Sequence, residues 1–115
     1  MNKLSRKELL RAYRDRAETG GVYAFVNSNS GKRLILSTTT IDKAKSQLEF
    51  ARSTGLCVHP LLEADWKATG GDSFTLEILE SVSRSETQTQ EEFIDDVRAL
   101  EALWKERFDE KDFYR

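Results

Sequence analysis

One carboxylate in the 115-residue chain stands where a carboxylate is costly. Over residues 89–108 the side chains of Phe93, Ile94, Val97, Trp104 and Phe108 share one side of a helix drawn at about 100° per residue, and Glu101 falls among them. Asp95, Arg98 and Ala102 fall on the far side. An ionised carboxylate on an inward stripe needs compensation. It comes either from a Lys or Arg at the margin of the stripe or from a divalent cation in a cleft. Magnesium takes only one or two protein carboxylates and fills the rest of its octahedron with water and phosphate oxygens, so a single Glu suffices. Tyr23, beside Phe25 on one face of an expected strand, is the second such group. A tyrosine there is ordinarily a core or sheet-surface residue. Its phenol becomes a proton acceptor for water only if cations or a metal lower its pKa from about 10.

The elements that must position these groups follow from periodicity. "GGVYAFVNSNSGKRLILS", residues 20–37, reads as two strands joined by turn chemistry, with Asn and Ser to bond locally and Gly31 to permit positive φ. Before it, residues 3–18 carry Leu9, Leu10, Tyr13 and Ala17 at helical spacing, with Lys3, Lys7, Arg11 and Arg14 on the adjoining face and Gly20-Gly21 to end the helix. After it, Ile41, Ala44, Leu48 and Ala51 predict a helix that begins on Thr caps and closes at Gly55. Pro60 suits the first turn of a short helix in which Leu61, Leu62 and Trp66 are buried and which stops at Gly70-Gly71. In "SFTLEILESV" Phe74, Leu76 and Ile78 alternate with Thr75 and Glu77, which predicts a third strand with one wetter face. Thr89 and Glu92 stand in capping-box register at the head of the last helix. The order is helix, strand, strand, helix, helix, strand, helix: an α+β domain with a small three-stranded antiparallel sheet flanked by helices and an extra N-terminal helix. The expected division is a basic amphipathic helix over residues 1–19 and the domain proper over residues 20–115.

Charge is unevenly distributed. Residues 1–60 hold 11 Lys/Arg against 5 Asp/Glu, and residues 61–115 hold 7 against 15, so a uniformly basic nucleic-acid binder is excluded. A basic surface in the first half still suits a polyanion. Cys57 is the single cysteine and has no Cys or His at ligand spacing, which argues against an internal disulfide and against zinc. With no run of about 20 apolar residues and no signal-like N-terminus, the expectation is a soluble, cytoplasmic protein that does not engage a membrane.

Gly21-Val22-Tyr23, Asn27, Gly31-Lys32 and the strand "RLILS" resemble the first hairpin of the GIY-YIG nuclease family. "LLEADWKATGGDSFTLEILE" is similar to the family's helix-to-third-strand segment, and "LEALWKERF" to its terminal helix, in which a Glu three residues before Trp is the metal ligand. Residues 20–108 carry the resemblance. It implies that Tyr23 is the first motif's tyrosine and Glu101 the ligand of Mg2+ or Mn2+. Other parts depart from the pattern: Leu34 stands for the second tyrosine, Leu36 for a glycine, and the phosphate-contacting arginine falls at or near Ala44. Lys43 and Lys45 flank that place, but an ammonium lacks the guanidinium's paired donors. His59 lies close to a histidine of some members, or else simply precedes Pro60 as a helix-entry residue.

The resemblance therefore implies a divergent member with weak or lost metal-dependent phosphodiesterase activity, acting as a nucleic-acid or protein binding module. The alternative is an active endonuclease using Glu101, Tyr23 and a lysine. Mg2+ or Mn2+ is the cofactor if activity is retained, and none otherwise. Expected partners are DNA, held weakly and salt-sensitively through Lys3, Lys7, Arg11, Arg14, Lys43 and Lys45, or a protein drawn to the acidic second half.

Overall fold

Turn chemistry fixes the first hairpin. The computed structural model describes residues 18–114, so the expected N-terminal helix with Lys3, Lys7, Arg11 and Arg14 lies outside the described residues. β1 (Thr19–Asn27) and β2 (Arg33–Thr38) pair antiparallel, with Tyr23 opposite Leu36 and Phe25 opposite Leu34. Between them the Asn27 side-chain oxygen accepts the Asn29 N–H at 2.9 Å, and Gly31 takes a φ of 77° that the other residues of the turn avoid.

β3 (Phe74–Ser83) pairs antiparallel with the other edge of β1, giving the order β2-β1-β3. A β-carbon at Gly21 would run into the Glu80 carbonyl oxygen, and one at Gly20 into that of Thr38. The two glycines thus let both neighbours close on the start of β1. The expected alternation along β3 fails partway. Val22 faces Glu80 and Tyr23 faces Ile78, so Leu79 is an extra residue in a β-bulge. The bulge turns Leu79 toward the last helix and leaves Ile78, expected in the core, 48% exposed.

Helices cover both faces of the sheet. α1 (Asp42–Thr54) buries Ala44, Leu48 and Ala51 against Tyr23, Phe25 and Leu34. Its expected Thr cap is not formed: Ile41 precedes the helix without a side-chain cap, and Thr38 Oγ1 instead accepts the Thr40 N–H at 3.0 Å in a turn before it. Gly55 closes the helix in the left-handed conformation, as expected. Pro60–Leu62 forms a 3-10 turn leading into α2 (Glu63–Thr69), where Leu62 and Trp66 are buried while Leu61, expected with them, is 43% exposed. The Trp66 ring stacks on Phe74 with centroids 5.3 Å apart.

α3 (Gln90–Lys105) lies across the opposite face with Phe93 and Val97 fully inside. Leu100 and Trp104 complete the stripe over Val22, Ala24, Ile35 and Leu79. The Thr89–Glu92 capping box is formed in both directions. The helix ends at Lys105, so Phe108 belongs to the segment beyond it, where the Arg33 guanidinium lies 4.2 Å from its ring. Among the described residues no helix is long and apolar enough to cross a membrane.

Candidate functional site

The C-terminal turn of α3, the outer edge of β2 and the residues after α3 enclose a cavity of about 730 Å³. Leu34, Leu36, Leu61, Phe108, Phe113 and Tyr114 give it an apolar wall, and Glu101, Lys105, Glu106 and Glu110 its charge. Glu101 therefore occupies a cleft and is not simply turned into packed core. Its two oxygens are both engaged: Ser37 Oγ donates to Oε1 at 2.9 Å and Lys105 Nζ donates to Oε2 at 2.9 Å. The Glu101 side chain is 24% exposed and that of Lys105 46%. The compensation seen at this misfit acid is a lysine of its own helix. The acid lines an open cleft, and a cation one helical turn on has been recruited to it.

Tyr23 arises on the other face of the sheet, in the cluster beneath α1 and α2. Leu36, its partner in the β1–β2 register, packs on the same cluster and also lines the Glu101 cavity. The phenol and the carboxylate thus approach across the edge of the sheet without a hydrogen bond between them. They still interact electrically. Burial, and then the negative charge of Glu101, push the Tyr23 pKa above its ordinary value. A general base would need a shift in the opposite direction.

The remaining sequence candidates are dispersed. Ala44 is 2% exposed on the inner face of α1, and the exposed Lys43 and Lys45 flank it. Lys45 borders a separate hollow with Ile41, Leu76 and Ile78, at the β3 margin of the sheet, whereas Glu101 is at the β2 margin. His59 stands at the entry to the Pro60–Leu62 turn. Its Nδ1 accepts the Leu61 N–H at 3.1 Å, capping the Pro60–Leu62 turn, while its carbonyl accepts from Cys57 Sγ.

Asn27 of the first hairpin reaches the cavity wall through Tyr114, by contacts that the sequence does not show. Asn27, 2% exposed, donates through Nδ2 to Tyr114 Oη at 3.0 Å, and Tyr114 Oη donates to Asp65 Oδ2 at 2.7 Å. Tyr114 N–H bonds the Arg33 carbonyl at 3.0 Å, and Phe113 forms an isolated parallel bridge with Arg33. The chain after α3 is thereby pinned to the open edge of β2, as the third wall of the cavity. Burial, and then the bond to Asp65, hold the Tyr114 pKa above its ordinary value. The contacts span 87 and 49 residues, so no local pattern announces them.

The divalent cation that the sequence resemblance implies does not fit this arrangement. Among the described residues no three His, Cys, Asp or Glu side chains converge to hold a metal. Glu101 already has an ammonium on one oxygen and a hydroxyl donor on the other. A cation at Glu101 would have to bind against the positive charge of an ammonium already seated on the carboxylate.

A three-stranded antiparallel sheet in the order β2-β1-β3, with α1 and α2 on one face and α3 on the other, is the α+β architecture of the GIY-YIG nuclease catalytic domain. The catalytic domain of homing endonuclease I-TevI superposes with a TM-score of 0.59 at 19% identity, over 83% of this chain and 95% of that one. A mutant form of the catalytic domain of intron endonuclease I-TevI gives a TM-score of 0.61 at 17% identity, over 84% and 92% of the two chains. At that identity the likeness defines the fold. No protein-family sequence model and no curated protein sequence matches the chain.

Proposed function

We propose that this chain is a nucleic-acid-binding module on the GIY-YIG nuclease fold in which metal-dependent phosphodiester hydrolysis is lost. The observation that carries this reading is the state of Glu101, whose two carboxylate oxygens are held by Ser37 and Lys105. Three further features support it. Tyr23 is buried and holds its proton more tightly than a free phenol. Leu34 and Leu36 form a greasy wall where the resemblance calls for tyrosine and glycine. Neither Lys43 nor Lys45 borders the Glu101 cavity. The loss of one preorganised donor costs about 10² to 10³ in rate, and here several are absent together.

The partner reading rests on the fold's likeness to an endonuclease catalytic domain and on the exposed lysines of α1. Contacts to phosphates through Lys43, Lys45 and the basic residues Lys3, Lys7, Arg11 and Arg14 are sequence-independent and weakened by salt.

The test separates binding from hydrolysis. Supercoiled plasmid is incubated with wild type and with Glu101→Ala in Mg2+ or Mn2+, and a labelled duplex is titrated with wild type in EDTA. The expected result is no nicking above the Glu101→Ala control, together with duplex association that persists in EDTA and weakens with salt. Nicking by wild type that disappears in Glu101→Ala would establish an endonuclease instead. Failure to bind duplex or single-stranded DNA at low salt would remove nucleic acid as the partner.

A further inference from the structure

We infer that the flank of α3 facing the end of β3 is the seat of this chain's own basic segment, residues 3–17, held there by an apolar stripe and by its cations. The inference goes beyond the proposed function and does not rest on it.

The seat lies beside the start of β1. Among the described residues Val82, Phe93, Ala99 and Leu100, together with Gln88 and Asp96, border a hollow of about 310 Å³. Leu103, one turn beyond Ala99 on the same flank of α3, is 56% exposed. Glu92, Asp95 and Asp96 are exposed along that flank, so an apolar strip is edged with carboxylates. The Asp96 carboxylate accepts from the Gln88 side chain, and none of the ion pairs among the described residues involves any of the three acids. Such a strip calls for a cover that is both apolar and basic.

Three observations name the cover. The first is where the chain enters the sheet. Thr19 pairs with Ser83, which borders the hollow, and the Glu18 carbonyl accepts the Arg84 N–H at 2.9 Å. The chain before Glu18 therefore starts at the margin of the hollow. The second is its pattern. Leu9, Leu10, Tyr13 and Ala17 stand at helical spacing with Lys3, Lys7, Arg11 and Arg14 beside them, and residues 1–17 hold six Lys/Arg against two Asp/Glu. At about 1.5 Å per residue that stripe is roughly 12 Å long, close to the ~10 Å from Asp96 to Leu103 along α3. The third is an orphaned oxygen. Glu18 Oε2 is shielded from solvent and meets no hydrogen-bond donor among the described residues. A shielded carboxylate oxygen is costly unless a donor reaches it. Arg14 stands four residues before Glu18, the spacing of a helical ion pair. A second copy offering its domain surface would bring like charge to the flank, because residues 18–115 sum to −6.

The experiment is amide hydrogen exchange read by mass spectrometry on the full chain, at low ionic strength and without nucleic acid. A free segment of this length exchanges near the random-coil rate, because so short a helix is marginal in water. Wild type is expected to protect residues 9–17 by about tenfold or more, at dilute and at high protein concentration alike. Ala99→Arg, which fills the hollow and sets a cation on the acidic flank, is expected to abolish that protection. Ala102→Arg makes the same change on the far side of α3 and is expected to leave it intact. Asp95→Asn/Asp96→Asn, which keeps an acceptor for Gln88, is expected to lower the protection and its dependence on salt.

Equal protection in wild type and Ala99→Arg would overturn the inference, because the segment would then fold without the flank. Absence of protection in wild type would overturn it as well. Protection that appears only at high concentration would overturn it in favour of the basic segment of a second copy. If Ala99→Arg loosens α3 itself, as its own amides would show, Leu103→Lys at an already exposed position supplies the same comparison. Because no DNA is present, a failure here is distinct from a failure of the binding reading, which the duplex titration in EDTA decides.

Discussion

What a side chain can do depends on which of its atoms are already occupied. The Tyr23 phenol is buried in the cluster beneath α1 and α2 and sits in the field of Glu101, and both effects favour its protonated form. Because the folded-state pKa lies above the unfolded value of about 10, the associated stability is fully present below that value. It is lost as pH rises through it toward the folded pKa. Urea unfolding followed from about pH 8 to pH 11 should therefore show wild type losing stability more steeply than Tyr23→Phe, with Tyr114 adding a residual slope to both. Identical slopes would mean that Tyr23 has the same proton affinity folded and unfolded. Glu101→Gln supplies an independent check. Removing the carboxylate's charge should bring the Tyr23 pKa down toward its ordinary value, as read from the tyrosinate absorbance near 295 nm, roughly, against Tyr23→Phe. An unchanged titration would show that the two groups do not sense each other across the sheet edge.

Elements are legible in the sequence where their signals are local. The α3 cap is such a case: Thr89 Oγ1 accepts the Glu92 N–H at 3.1 Å and the Glu92 carboxylate accepts the Thr89 N–H at 3.0 Å. Thr89→Ala should cost about 1 kcal/mol, a fall in Tm of roughly 4 °C for a domain of this size, measurable by thermal unfolding. A change within error would mean that the helix start is held by Phe93 and Val97 alone. Glu101 was legible for the same reason, as a departure from the α3 stripe, and Lys105 was available as its i+4 partner. Ile78 was misread because the rule of alternation assumes an unbroken ladder, and the bulge at Leu79 depends on how β3 meets Val22 and Tyr23. The Thr cap of α1 failed because Thr38 is taken by a competing local turn. The Asn27–Tyr114–Asp65 contacts were invisible because tertiary closure alone brings these residues together. Tyr114→Phe tests them. It removes the acceptor of Asn27 and the donor of Asp65, leaving Asn27 Nδ2 with the Asp65 carboxylate at 3.4 Å. The expected loss is about 1 to 2 kcal/mol, with faster amide exchange at Arg33 and Tyr114 as the edge of β2 loses its cover. Unchanged exchange would place the hold on that edge in Phe108 and Phe113.

At the scale of the whole molecule the charge distribution decides how a polyanion can be held. Residues 1–17 carry six Lys/Arg against two Asp/Glu, leaving the rest of the chain at −6. The domain by itself therefore repels a phosphate backbone, apart from the lysine edge of α1. If DNA binds, the contacts come from a few cations on one side and not from the acidic Glu101 cavity. Each neutralised phosphate contributes about −0.9 to the slope of log K against log salt on duplex DNA. Lys43 and Lys45 alone would give a slope of about −2, and the four residues Lys3, Lys7, Arg11 and Arg14 would extend it to about −5. The double variant Lys43→Ala/Lys45→Ala should then flatten the slope by about 2 while leaving weak binding. The quadruple alanine variant at Lys3, Lys7, Arg11 and Arg14 should flatten it further, with binding lost at about 0.15 M salt. Lys105→Met should leave the slope where it was, because Lys105 is occupied by Glu101 and faces the acidic cavity. A Lys105→Met slope reduced as much as that of the α1 double variant would move the DNA path into the cavity. It would also return Glu101 to the neighbourhood of the scissile phosphate, and with it the case for hydrolysis.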